Sequence, residues 1–572
     1  MFLFQLFRSL LPLHNPLGFG AADFFEFGLA AILLAAFTLA RPIEHFARRL
    51  ATKRLLCVVL LALTAITTRL ALLPRHPVPT PKVADEFSHL LVADTLRNFR
   101  LANPTHPLHQ FFETFFVLQE PTYSSIYPPG QGIALGLGWL IFGLPWAGVV
   151  LSTATFCALC YWMLRGWTTP TAALAGGILA VFEFGPLCEW MNGYWGGSLA
   201  ASAGCLVFGA LPRIREGRSS WYAAWLGLGF GVHLLTRPYE TVFLGLSIIL
   251  FFAPTLWRGG TRAAARPAAI AIAALLPAVV VMLLQNKQIT GSWTTLPYVL
   301  SQYEYGVPVS LTFQNNPAPH RQLTPQQESE YQIQLFMKGP EPETLGKYIA
   351  RLAYRLRFYR FFLFAPLYLA ALAYLGSIRR WRAAWVLLTV AIFAWGTNFF
   401  PGFHLHYLAA ITCLFLLISV AGLRRIAGIS IKASPAGLGA ARIIVWLCAG
   451  QFVFWYTMHV FNASDISIAT RRYESWDGIN HQNPERRIAV REELSKTLGK
   501  KLVFVRYYPQ HLSQDEWVWN AAEIDHARVV WARDLGDEAN QEILRYYPDR
   551  TAWMLEPDFR PLPRLTEYRP KP

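Results

Sequence analysis

The sequence predicts a polytopic α-helical membrane protein ending in a small α/β region, and three observations predict it. The 572 residues are 54% hydrophobic and only 15% charged, with a mean hydropathy of +0.30, where a soluble chain is about one-quarter charged. Apolar runs of bilayer-spanning length recur through most of the chain. Beyond residue 461 the composition turns polar, and apolar stretches shrink to strand length.

The elements follow in order. Residues 1–20 read as a short interfacial piece, with no clear signal-cleavage pattern. The first apolar run is 24–40. The next segment, RPIEHFARRLATKR, carries Arg41, Arg48, Arg49, Lys53 and Arg54, and a loop so basic belongs on the cytoplasmic side. Residues 55–73 then cross outward. The run 131–144 is short for a span and follows a Pro-Pro-Gly turn, so it is read as an interfacial helix. That choice places Arg213/Arg215/Arg218, Arg258/Arg262/Arg266, Arg379/Arg380/Arg382 and Arg424/Arg425/Lys432 all inside. Further spans are expected at 146–165, 171–187, 195–212, 221–235, 240–257, 267–284, 358–377, 383–399, 405–422 and 442–461, about twelve in all.

This divides the chain into 1–54 (interfacial segment, extra span and basic loop), a transmembrane core at 55–461 with outer loops 75–145 and 285–357, and a soluble extracytoplasmic region at 462–572. In the last, KLVFVRY (501–507), ARVVWAR (527–533) and TAWML (551–555) read as buried strands, and DEANQEILRYY (537–547) as an amphipathic helix. The outer connections are polar and aromatic and the inner ones short and basic, so the chemistry is expected outside.

Several function classes recede. The net charge of +16 follows from the basic inner loops, and no motif for nucleic acid accompanies it. All seven cysteines lie in or beside apolar runs, which implies no disulfide framework. No phosphate-binding loop of the G-x-x-x-x-G-K-[ST] type occurs.

The candidate site is built from outer turns. Asp85 and Glu86, in VADEF, follow a span closely, where carboxylates are costly and usually functional; the alternative is a helix start, since acids favour the first turn. Tyr127, Pro128, Pro129, Gly130 and Gln131 form a turn into an apolar helix. Arg237, at an outer span end beside Tyr239 and Glu240, suits a lipid phosphate or a pair with Glu240. His404 and His406, with Tyr407, can hydrogen-bond phosphate or sugar, or anchor the interface. Tyr194 and Trp195 suit sugar stacking or the interfacial aromatic belt. His89, Tyr239 and Tyr407 complete the candidate substrate-binding set, with Tyr127, Gln131, Tyr194 and Trp195. No certain cofactor is indicated and no metal site is assigned; a divalent cation (Mg or Mn) at Asp85 or Glu86 is an option without a further ligand cluster.

An outward first core span, an Asp-Glu pair, a long loop and a Pro-Pro-Gly turn into an interfacial helix together resemble the GT-C superfamily of integral-membrane glycosyltransferases. The likeness is to the protein O-mannosyltransferase and lipid A aminoarabinose-transferase branch. It covers most of 55–461, and its specific part is VADEF and YPPGQG. The resemblance implies a GT-C-like fold, a polyprenyl-phosphate-linked sugar donor, and Asp85 as the catalytic carboxylate, with Glu86 beside it. The acceptor would be a hydroxyl on a glycan, lipid or protein, and the expected location a bacterial inner membrane, with the site and the C-terminus extracytoplasmic. The extra run at 24–40, Gln131 in the turn and the C-terminal α/β region depart from the familiar pattern and leave donor and acceptor open. A lipid or solute transporter or flippase is the alternative, although the spans hold few charges beyond Arg69. A non-catalytic envelope scaffold is the third reading.

Overall fold

Apart from isolated positions, the computed structural model describes residues 41–461, with breaks at 82, 260–261, 340–341 and 432–433, and residues 485–569. The expected interfacial piece at 1–20 and span at 24–40 lie outside the described residues.

Each of the remaining eleven span windows contains helix. They are α1 (Arg41–Leu50) leading into α2 (Arg54–Ala71), then α3 (Ala84–Arg97) and a short hairpin of β1 (Val117–Leu118) with β2 (Ser124–Ser125). There follow α4 (Pro129–Phe142), α5 (Pro145–Leu164), α6 (Pro170–Phe184), α7 (Ser198–Arg215), α8 (Trp221–Thr236), α9 (Pro238–Gly259) and α10 (Arg262–Thr290). The second outer loop holds α11 (Pro297–Tyr305), α12 (Pro325–Lys338) and α13 (Leu345–Arg355); α14 (Leu367–Leu375), α15 (Trp381–Thr397), α16 (Thr412–Ala427) and α17 (Ala436–Phe461) complete the bundle. Proline opens α4 through α6 at the first helical positions, where its missing N–H costs nothing.

The chain is an integral multi-pass membrane protein. Among the described residues five helices are long and apolar enough to cross, and one further apolar pair is sharply bent at a short break. That pair corrects one expectation. The window 358–377 is not one straight span: Leu345–Phe362 and Leu367–Leu375 meet at 117°. Pro366 disfavours helix at the residue before it, and Arg357 and Arg360 are buried short of the break. Several other helices have 14–17 residues, about 21–26 Å at 1.5 Å per residue, and cannot alone traverse a ~30 Å core. Their missing residues form the turns that build the site.

The turns at 192–197, 237 and 398–407 lie at one end of the bundle. Arg218, Arg382 and Arg424 lie at the other, where Glu216 meets Arg218 and Arg382, and Arg424 donates to Thr168 Oγ1 at 2.9 Å. Arg69, the charge within the spans, is not left open to solvent or lipid. It is buried at the site end of α2, donating to Asn192 Oδ1 (2.7 Å) and to the carbonyls of His76 and Pro77, beneath the Trp146 ring.

The C-terminal residues form α18 (Glu485–Lys496) and a four-stranded sheet of β3 (Lys500–Val505), β4 (Val529–Arg533), β5 (Arg550–Glu556) and β6 (Arg564–Glu567), with α19 (Asp537–Tyr546) between β4 and β5. The order is β4-β3-β5-β6, parallel except for the β5–β6 pair. β6 has no counterpart in the sequence reading, because RLTE at 564–567 is short and largely exposed. This region is not held apart from the first outer loop: Leu502, Phe504 and Val530 share one apolar cluster with Leu91, Phe111 and Phe112. Glu113 adds polar ties, binding Arg321 (2.6 Å) and Gln327 (3.0 Å), while Arg533 donates to the Glu113 carbonyl and to Gln326.

Candidate active site

The two acidic residues of VADEF separate cleanly. Val83 is extended and caps α3, and Glu86, at the third helical position, accepts the Val83 N–H. The same carboxylate accepts the Tyr194 N–H at 2.8 Å and is buried. Glu86 therefore closes the helix start and ties it to the 192–197 turn, as the helix-start alternative expects. One position earlier, Asp85 points differently. It accepts the Tyr127 hydroxyl and the Trp195 side chain. Burial raises its carboxyl to about 6, and those two hydrogen bonds oppose the rise. The residue remains partly exposed, so a ligand can reach it.

Tyr127 is held on all sides. Its N–H donates to Ser125 Oγ (3.0 Å), its carbonyl accepts from Gln285 (3.3 Å), and its ring stacks on His89 at 4.4 Å. Trp195 is set by the two glycines after it, at φ +93° and +120°, where a side chain is strained. A Cβ on Gly196 would also come within 2.9 Å of Gln131 Oε1, and one on Gly197 within 2.4 Å of Trp190. The Trp195 ring contacts His404 (4.7 Å) and His406 (5.6 Å), which stack on each other at 5.3 Å. Tyr407 adjoins both histidines, and the Arg237 guanidinium lies over its ring at 5.3 Å. Four turns distant in sequence thus close one continuous set of contacts, Asp85–Trp195–His404/His406–Tyr407–Arg237.

Arg237 forms no side-chain hydrogen bond or ion pair among the described residues, so the pair with Glu240 is not made. Burial, then the charges of Arg237 and Arg355, lower His404 to about 4, and burial with Arg237 lowers His89 to about 3. Both are neutral at physiological pH. His89 Nδ1 is buried without a partner.

No protein-family model matches this sequence, and no curated protein matches it. Solved structures do match in shape. The structure of ArnT from Cupriavidus metallidurans bound to undecaprenyl phosphate superposes with a TM-score of 0.52 at 12% identity, over 87% of this chain and 92% of that one. The apo state of the same protein gives 0.49 at 12% identity, over 88% and 93%. The Archaeoglobus fulgidus oligosaccharyltransferase in the apo form gives 0.43 at 13% identity, over 88% and 69%.

The fold is GT-C-like.

Within this GT-C-like fold, the structure gathers Asp85, Tyr127, His89, Trp195, His404, His406, Tyr407 and Arg237. The other candidates make hydrogen bonds to the backbone around this set. Gln131 donates to the Tyr194 carbonyl at 3.0 Å and joins α4 to the 192–197 turn. The Tyr194 hydroxyl donates to Pro79. The Tyr239 hydroxyl donates to the Gly396 carbonyl, with its ring against Phe243 and Phe400. Two residues escaped the sequence reading, Gln285 and Tyr298. Tyr298 lies within electrostatic reach of Asp85, Arg237 and Tyr407, and its only signal was the aromatic start of the second outer loop. Among the described residues, no group of three or more His, Cys, Asp or Glu side chains is placed to hold a metal ion.

Proposed function

We propose that this protein is a membrane glycosyltransferase that moves a sugar from a polyprenyl-phosphate donor to a hydroxyl acceptor, a glycan, lipid or protein, on the extracytoplasmic face of a bacterial inner membrane. The observation that carries this reading is the convergence of Asp85, held by Tyr127 and Trp195, with an unpaired Arg237 and a neutral His404. A shape shared with an ArnT structure bound to undecaprenyl phosphate supports the donor class.

The chemistry suits these groups. The donor already carries a phosphate leaving group, so no general acid is required; a base and anion holders are. Ionised Asp85 takes the proton of the acceptor hydroxyl as its oxygen bonds to the anomeric carbon. The bond from that carbon to the phosphate oxygen breaks, and the polyprenyl phosphate departs with the electron pair. Arg237 meets its charge, as a planar guanidinium can do bidentately, and His404 adds a neutral N–H. One displacement of this kind inverts the anomeric centre, and the proton on Asp85 is then lost to water. A carboxyl raised to about 6 is ionised at neutral pH yet more basic than a free aspartate, which favours a general base. On this reading 55–461 form the catalytic core and 462–572 a soluble extracytoplasmic region, whose described part packs on the first outer loop.

The test is the purified protein in nanodiscs with a panel of polyprenyl-phosphate sugars. Release of polyprenyl phosphate, stimulated by one acceptor class, is expected. Translocation of lipid or solute across the bilayer without turnover of any donor would overturn the assignment in favour of a transporter.

A further inference from the structure

Helix α13 has an unusual division of its faces. Leu345, Ile349, Leu352 and Leu356 recur at i, i+4, i+7 and i+11, within roughly 60° of one another at 100° per residue. Leu345 is 71% exposed, Ile349 47% and Leu356 46%. Lys347 and Tyr354, also exposed, occupy the opposite edge. The side between the two edges is bound to protein. Arg351 donates to the Asn398 carbonyl at 2.9 Å. Arg355 donates to the carbonyls of Thr397 (3.1 Å), Phe400 (2.7 Å), Pro401 (2.8 Å) and Gly402 (3.0 Å). The Tyr348 hydroxyl donates to Trp395. The helix is therefore riveted sideways to the turn that ends two residues before His404, with one apolar edge left open.

We propose that this open edge lies in the lipid leaflet on the side of the candidate site, so that α13 is an interfacial helix. Two observations select lipid as the occupant. The segment Leu345–Phe362 meets the apolar helix that follows it, Leu367–Leu375, at 117°, so α13 is turned sharply away from the direction in which the chain enters the bundle. The apolar edge also continues into exposed Leu369 and Leu372 of α14, which belong to the lipid-facing surface of the bundle. Such helices bury their apolar edge about 5–10 Å into the headgroup boundary and keep the polar edge wet, as Leu345/Ile349/Leu356 and Lys347/Tyr354 are arranged to do. Through Arg351 and Arg355 this seat fixes the depth of the 397–402 turn. The inference does not depend on the transferase reading, because it concerns contact with the bilayer and not turnover.

All seven native cysteines are buried, so an introduced surface cysteine labels selectively. The test compares Ile349→Cys with Lys347→Cys, each carrying an environment-sensitive fluorophore, in the full-length protein reconstituted in phosphatidylcholine nanodiscs. Lipid carrying a nitroxide near the headgroup end of the acyl chain is one quencher and aqueous iodide the other. Loss of fluorescence at 349 with the lipid nitroxide but not with iodide, and the reverse at 347, is expected. Quenching of both positions by iodide alone would overturn the proposal. Protection of 349 from both quenchers would assign the edge to a protein partner, such as a second copy, and overturn it equally. Both variants sit at exposed positions, and an unchanged melting temperature confirms that each reports on the native fold.

Discussion

Asp85→Asn keeps the side chain's size and its acceptor oxygen for Tyr127 and Trp195, but removes the charge and the proton acceptor. A positioned general base contributes about 10²–10⁴ in rate, or about 3–5 kcal/mol of barrier, and a loss of that size is expected in donor turnover. The structure adds two signatures. Burial raises the carboxyl to about 6, so the neutral, inactive form accumulates below that pH. Roughly one-tenth of molecules are ionised at pH 5 and nine-tenths at pH 7, giving about a tenfold rise in wild-type rate across that interval and then a plateau. The variant should lack this acid limb. The second signature concerns stability. A carboxyl whose folded pKa lies above its unfolded value contributes stability below the unfolded pKa and loses it as pH rises through the folded one. At neutral pH ionised Asp85 therefore opposes folding, and Asp85→Asn should melt at the same temperature as the wild type or higher. The assay is release of polyprenyl phosphate in nanodiscs from pH 5 to 8, with melting followed in parallel. A variant that melts normally yet transfers sugar at the wild-type rate, or a wild-type profile without an acid limb near 6, would refute the reasoning.

Tyr127→Phe removes a hydrogen bond that favours ionised Asp85. Such bonds to charged groups are worth about 1.5–3 kcal/mol, so the acid limb should move up by about one to two pH units; an unmoved limb would exclude Tyr127 from tuning the base. Arg237→Ala should raise the Kd for polyprenyl phosphate by about 10–100-fold, the range of a charge-assisted bond, with Arg237→Lys recovering part of it. Unchanged affinity in a binding titration would remove Arg237 from the site. Glu86→Gln weakens the tie from α3 to the Tyr194 N–H and should lower the melting temperature by the equivalent of about 1–3 kcal/mol. Its turnover per folded molecule should stay near that of the wild type, in contrast with Asp85→Asn.

Apolar periodicity and proline placement carried most of the fold. A run such as 146–165 can satisfy its backbone in lipid only as a helix, and α5 spans Pro145–Leu164. The tail strands were legible because LVFV and VVW are short apolar runs between polar turns, and β3 and β4 fall on them. The break at Pro366 was less visible, since hydropathy averages over the aromatic and basic residues of 356–362. The site divides in the same way. Unusual residue types at outer turns pointed to Asp85, Arg237 and His404, but nothing local distinguished Asp85 from Glu86. The distinction is one of helix phase: the third position of α3 reaches back to its own cap, whereas the second faces Tyr127 and Trp195. The supporting roles of Gln131, Tyr194 and Tyr239 depend on backbone carbonyls brought near by tertiary packing, which no sequence pattern encodes.

The most direct measurement is a cryo-EM structure of the protein in nanodiscs with undecaprenyl phosphate. The phosphate is expected against the Arg237 guanidinium and beside His404, on the face of the Trp195–Tyr407 cluster that Asp85 borders. A phosphate bound away from Arg237, with Asp85 facing no part of the lipid headgroup, would contradict the account.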